Sequence, residues 1–252
     1  MKRLKRIIYW VFFSQIMKMN NHYSFSEKWP GIFLNPFYFA RKALYRNIGD
    51  IGSRLNGKVL DVGCGSQPYK NKINHTEYVS LEYDTPENRA SKKADFFYDG
   101  HHFPFPDNVF DSVLATQVFE HVFNPQAFMK ELNRVLKPGG KLLLTVPFVW
   151  DEHEQPYDFA RYSSFGIASI LKTNGFRILE QRKTCNNITI VFQLWNDYLY
   201  KKIIGTGHPL RVTIINFLTS ISNVAGLFWN LLLPSNDDLY LDNIVLAEKI
   251  EK

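Results

Sequence analysis

A chain of 252 residues with 45% hydrophobic and 15% aromatic content has the composition of a folded globular protein, which excludes a disordered or fibrous chain. The net charge of +6 is concentrated, because residues 1–50 hold nine Lys/Arg against Glu27 and Asp50. The remainder is near neutral, so a nucleic-acid-binding body is not expected. Cys64 and Cys185 match no metal or redox spacing and no disulfide framework, which points to a reducing, cytoplasmic compartment.

Residues 1–50 form a basic, aromatic N-terminal segment that is expected to be helical. Lys2-Arg3-Leu4-Lys5-Arg6 precedes an apolar run over 7–17, too short for a bilayer span of about 20 residues. Residues 17–20 offer no small-residue cleavage site, so export is not expected. Residues 1–18 then read either as an interfacial helix, with Trp10, Phe12 and Phe13 on an anionic membrane, or as a helix packed on the domain or a dimer partner.

From residue 58 strand-like and helix-like segments alternate, the signature of a parallel sheet. Strands are predicted over 58–62, 78–82, 94–98, 110–115, 141–146, 176–183 and 240–249. Residues 125–136 predict an amphipathic helix with Phe128, Leu132, Val135 and Leu136 on one face, stopped by Lys137-Pro138-Gly139-Gly140. A second helix is predicted over 163–174, stopped by Gly175. The body runs over 51–252, with a helical insertion or cap at 185–235. Within it, 213–233 is uncharged and long enough to span a bilayer, but six Asn, Ser and Thr residues interrupt it. A buried or membrane-facing helix covering the sheet edge is the better reading.

The chemistry starts at Val59-Leu60-Asp61-Val62-Gly63-Cys64-Gly65-Ser66. An apolar strand ends in a tight turn whose two glycines can take φ > 0 and let a ligand lie against the main chain. Glu82, ending the next strand, stands where an acid can accept both ribose hydroxyls of a nucleoside. Asp99-Gly100 follows the third strand, where a carboxylate can accept from an adenine amino group. A dinucleotide turn wants a glycine where this chain has Pro68, and Asp61 suits a cationic ligand better than a diphosphate.

Four stretches in order carry a family resemblance: Val59 to Gly65, Phe103-Pro104-Phe105-Pro106-Asp107-Asn108-Val109-Phe110-Asp111, Phe119-Glu120-His121-Val122, and Arg134-Val135-Leu136-Lys137-Pro138-Gly139-Gly140. The chain resembles class I S-adenosylmethionine-dependent methyltransferases of the small-molecule bacterial kind. The resemblance implies a three-layer Rossmann-like α/β fold, a seven-stranded, mostly parallel sheet with one antiparallel strand, and S-adenosyl-L-methionine as cofactor. It implies Asp61, Gly63, Cys64 and Gly65 around the methionine part, Glu82 at the ribose, Asp99 and Gly100 at the adenine, and Gln117 near the transferred methyl. Glu120-His121 is expected to orient the loop after the fourth strand.

The loop 148–162 leaves the C-terminal end of the fifth strand, where open α/β sheets bind ligands, and it is dense in titratable groups. His153 is the candidate general base, since imidazole is the side chain that changes charge near physiological pH. Glu154 or Asp158 would orient it. Trp150, Arg161 and Tyr162 are candidates for substrate binding, or, for Arg161, for closing the loop against Asp158. No divalent-metal spacing is evident along the chain. The expected activity is methyl transfer, O- or C-methylation foremost, to a small-molecule, glycan or lipid-linked acceptor. The alternative is a catalytically silent binding protein that kept the fold. Oligomeric state stays open.

Overall fold

The computed structural model describes residues 29–91, 94–204 and 209–250, so the expectations for residues 1–18 fall outside the described residues. In chain order the elements are α1 (Gly31–Leu34), α2 (Tyr38–Gly52), β1 (Lys58–Val62), β2 (Glu77–Tyr83), α3 (Pro86–Ser91), β3 (Phe96–Tyr98) and β4 (Phe110–Thr116). There follow α4 (Pro125–Val135), β5 (Leu136–Pro147), α5 (Ser164–Thr173), β6 (Phe176–Lys183), α6 (Thr189–Ile204), α7 (Pro209–Leu232) and β7 (Asp242–Lys249). The described residues form two compact units, one within 47–184 and 241–250 and the other within 29–46 and 185–240.

The first unit is a seven-stranded sheet in the order β3-β2-β1-β4-β5-β7-β6. All pairs are parallel except those of β7, which runs antiparallel to both β5 and β6. The expected single antiparallel strand is therefore the last one. Central strands are buried on both faces and read as near-continuous apolar runs: Leu60, Val62, Val113, Ala115, Leu142, Leu144, Val146 and Val245 are fully buried. Crossover helices carry the matching apolar stripes. In α4 the Asn124 side chain caps the first turn by accepting from Ala127 N at 3.1 Å, Pro125 opens the helix, and Phe128, Met129, Leu132 and Val135 face inward.

Two of the family-like stretches serve the framework. The Asp111 carboxylate accepts from Lys58 N at 2.8 Å and Lys137 Nζ at 2.6 Å, tying the start of β1 to that of β5. Arg134 donates to Glu131, to Asp107 and to the carbonyls of Phe103 and Phe105, which holds the aromatic turn before β4. One boundary needs correction. Lys137–Gly140 does not separate helix from strand: β5 already starts at Leu136, opposite Phe110, and the pairing resumes at Lys141 opposite Ser112. The extra residues bulge out between those pairs, with Gly139 at φ 72°.

The second unit is helical, with α7 packed on α1 and α6. Thr219, Ser222 and Asn223 of α7 face inward. Asn223 donates to the Ile32 carbonyl at 2.8 Å and accepts from Asn196 at 2.8 Å, and Thr219 donates back to Ile215 O at 2.8 Å. Gln193 of α6 is fully buried, donating to Pro36 O and accepting from Ala40 N, both at 3.1 Å. A row of α7 apolar residues lies outward: Ile214, Phe217, Ile221, Val224, Phe228 and Leu231 are all exposed and recur every three or four residues along the helix.

Candidate active site

β1 delivers Asp61 and the glycine turn to the C-terminal edge of the sheet. Gly63 lies at φ 66° and Gly65 at φ 51°, the left-handed region that glycine occupies without strain. A Cβ on Gly63 would stand 2.3 Å from Val118 Cγ2, so the turn also needs the missing side chain. The turn is held to β2 by Gly63 N donating to Leu81 O at 2.9 Å. Glu82 accepts from Gly65 N at 2.9 Å, which draws the predicted ribose acid against the turn. Cys64 is buried, its Sγ 3.9 Å from Glu82 Oε2.

Asp61 is 3% exposed. One carboxylate oxygen accepts from the Tyr78 hydroxyl, while Oδ1 has no hydrogen-bond partner. Burial, with Tyr78 opposing it and the charge of Glu82 adding to it, pushes the Asp61 carboxyl up to about 7. A buried acid with a spare acceptor beside an open backbone turn is built to receive a cation. Asp99 is exposed and accepts from the backbone N–H groups of His101 and His102 at 2.9 and 3.1 Å, which holds its carboxyl below the usual range. Gly100 beside it adopts φ 86° with Tyr83 close behind. These two therefore shape a loop next to the end of β3.

A second group of side chains gathers beyond β4, β5 and β7. Gln117, just past β4 at φ 54°, donates from its side chain to Thr145 Oγ1 at 3.1 Å and interacts with Asp242. Asp242 opens β7 fully buried, accepts from Thr184 at 2.7 Å, and is pushed up to about 6 by burial. Glu120 is wholly buried, and neither of its carboxylate oxygens accepts a hydrogen bond. Burial first, and the charges of Asp242 and Asp158 after it, raise its carboxyl to about 8.

The loop 148–162 closes over this acid. Phe159 N donates to the Glu120 carbonyl at 2.9 Å and Tyr162 N to Pro147 O at 3.2 Å. Arg161 engages Asp158 with both terminal nitrogens and also donates to the carbonyls of Asp151 and Ala160, at 2.6 and 2.8 Å. Its guanidinium is thus committed to holding the loop, and it brings Asp158 down to about 2. Trp150 is half-buried, with its carbonyl 3.4 Å from Arg161 Nε. Tyr162 packs its ring on Phe119, centroids 4.9 Å apart.

Of the two acids that might orient His153, Asp158 is the one in contact. Its Oδ2 lies 3.2 Å from His153 Nδ1 and accepts from His153 N at 2.9 Å. Glu154 instead points to His121, 3.9 Å from Nε2, and is 76% exposed. His121 and His153 meet edge to face with ring centroids 4.8 Å apart. Spacing along the chain concealed this grouping of Glu120, His121 and His153, because the third member comes from the far end of the next β-α unit. Among the described residues an open groove along α5 and β6 is lined by Phe165, Lys172, Arg177 and Glu248 and contains none of these side chains.

Residues 60–144 match the family model described as a methyltransferase domain. The ubiquinone/menaquinone biosynthesis C-methyltransferase UbiE of Chromobacterium violaceum is 39% identical over 139 residues, 49% of this chain and 57% of that one. The O-methyltransferase resE of Aspergillus sclerotiorum is 23% identical over 214 residues, 73% of this chain and 79% of its own. The chain matches about half the length of the first of its curated relatives, 50% for an uncharacterized protein of Methanocaldococcus jannaschii. The fold is shared with the [4+2]-cyclase SpnF at TM-score 0.52, 20% identity and 82% coverage of either chain.

A sheet with β7 reversed, an acid-and-glycine turn after β1 and a buried acid after β2 define a methyltransferase fold with a nucleoside site. The matched domain and these relatives support membership of the class I S-adenosylmethionine-dependent methyltransferases. Their cofactor, S-adenosyl-L-methionine, is a nucleoside carrying two cationic centres. The turn fits it: Asp61 Oδ1 is a spare anionic acceptor, Glu82 is an acid held against the turn, and Gly63 leaves backbone bare.

Proposed function

We propose that the chain methylates an oxygen or carbon atom of a small or lipid-linked acceptor, and that the acceptor is received at the Glu120, His121 and His153 end of the site. The observation that carries the reading is Asp61, a buried carboxylate with an unpartnered oxygen at an open glycine turn. S-adenosylmethionine supplies a methyl group on a sulfonium, already an excellent leaving group. The protein's own work is alignment and exclusion of water. Asp61, Gly63, Cys64, Gly65 and Glu82 receive the cofactor, with Asp99, Gly100 and Gln117 completing its surroundings. His153, oriented by Asp158, takes the acceptor's proton. Trp150 and Tyr162 flank the acceptor, and Arg161 locks the loop that carries them.

Similarity to UbiE supports a ring-bearing, lipid-linked acceptor. So does the helical unit. Lys and Arg outnumber Asp and Glu twelve to four in residues 1–46 and 185–240, and α7 turns Phe217, Ile221 and Phe228 outward with Trp195 and Tyr198 of α6 also exposed. A basic composition with outward aromatic residues suits peripheral contact with an anionic membrane from the cytoplasmic side. The fold also serves a cyclase, so a protein that binds without methylating is the second reading. Calorimetry of the purified chain with S-adenosylmethionine separates them: the enzyme reading expects about one cofactor per chain, and no binding rejects it. Labelled cofactor offered with membrane and soluble extracts then identifies the acceptor fraction.

A further inference from the structure

Glu120 is a wholly buried carboxylate whose two oxygens accept no hydrogen bond. Such a group needs a compensating cation or hydrogen-bond donor, and the side chains around it narrow the choice. His121 Nδ1 lies 2.7 Å from the Tyr157 carbonyl, so it carries the proton and Nε2 keeps its lone pair. That Nε2 stands 3.8 Å from Glu120 Oε1. His153 Nδ1 is 3.2 Å from both the Asp151 carbonyl and Asp158 Oδ2, two acceptors that place the proton there and leave its Nε2 open. The Arg161 contact to the same nitrogen is longer, 3.5 Å, and that guanidinium already serves Asp158.

We propose that Glu120, His121 and His153 bind one divalent transition-metal ion, with zinc the best match to two imidazoles and one carboxylate. Their ligand atoms lie within 4.8 Å of one another. Zinc bonds of about 2.0–2.2 Å would draw them in by roughly 1 Å, within reach of side-chain rotation. Both imidazoles already donate their remote N–H to a carbonyl or carboxylate, the support that orients metal-binding histidines. Three protein ligands leave a coordination position open, and Glu154 borders it from the solvent side.

This deepens the acceptor half of the proposed function and rests on that reading only for its chemical consequence. An acceptor hydroxyl on the open position would ionise near neutral pH, with its proton leaving to solvent. His153 would then be a ligand rather than the base, and Asp158 the group that positions it.

The test uses the full chain stripped with a chelator and titrated with Zn²⁺, and with Co²⁺ for its visible absorption. The expected result is one ion per chain at micromolar affinity or tighter, a tetrahedral Co²⁺ spectrum, and a loss of at least about 100-fold in His121→Ala and His153→Ala. Cofactor affinity, read by calorimetry in the same variants, stays unchanged, which keeps failure of this site distinct from failure of the methyltransferase reading. Glu120→Gln should also weaken the metal; if it does not fold, the two partly exposed histidines decide the matter. Wild-type chain that takes up no stoichiometric ion, or full affinity in both histidine variants, overturns the proposal.

Discussion

Asp61→Asn separates what the cofactor turn does for binding from what it does to stability. Asp61 is 3% exposed, and its carboxyl is raised from 3.8 to about 7, chiefly by burial. Between those two values the folded chain holds a proton that the unfolded chain has released, so stability falls as pH rises from about 4 to about 7 and is level above that. The full rise corresponds to ~4 kcal/mol, an upper figure at order-of-magnitude precision. Asparagine keeps the volume and an acceptor for the Tyr78 hydroxyl but buries a new amide donor, which costs about 1–3 kcal/mol. Relative to wild type, the variant should therefore gain ~1–3 kcal/mol at pH 8 and be less stable by ~1–2 kcal/mol near pH 4, where the wild-type penalty has vanished and the amide cost remains. Cofactor affinity should move oppositely, falling about 10- to 100-fold with a charge-assisted contact removed. Equilibrium urea unfolding at both pH values, with calorimetry at pH 8, measures the two effects. A stability difference independent of pH, or an unchanged cofactor affinity, would refute the reasoning.

Gly63→Val places a branched side chain at φ 66°, against Val118; cofactor binding should disappear while circular dichroism retains the sheet signal, and retained affinity would put the site elsewhere. His153→Ala should lower turnover by about 10²- to 10⁴-fold with cofactor affinity unaltered, whereas normal turnover on the true acceptor would leave His153 a loop residue only. Phe217→Glu with Phe228→Glu on the exposed face of α7, or deletion of residues 1–18, should reduce the fraction bound to anionic vesicles; a bound fraction equal to wild type in both variants would reject the membrane contact.

The sequence by itself determined the sheet and the methyl donor. Strand signals are local, and a parallel strand ending in acid and glycine needs only Asp61 to Gly65 to be recognised. Glu82 follows one β-α unit later, at a distance set by the length of that unit. Even the stretch misread as a stop, Lys137–Gly140, was correctly seen as irregular; its bulge depends on the pairing of Phe110 with Leu136, which no local pattern contains. The surroundings of loop 148–162 were settled by tertiary structure alone. Loop 148–162 is legible as titratable, but only closure by Arg161 chose Asp158 over Glu154 as the partner of His153 and set that ring beside His121. The orientation of α7 belongs there too: its sequence is mixed, and only packing against α1 and α6 turned Asn223 inward and Phe217 outward. Backbone preference and hydrophobic period act between neighbours in sequence, whereas a buried Glu120 meeting two imidazoles is settled by which strand ends come to lie side by side.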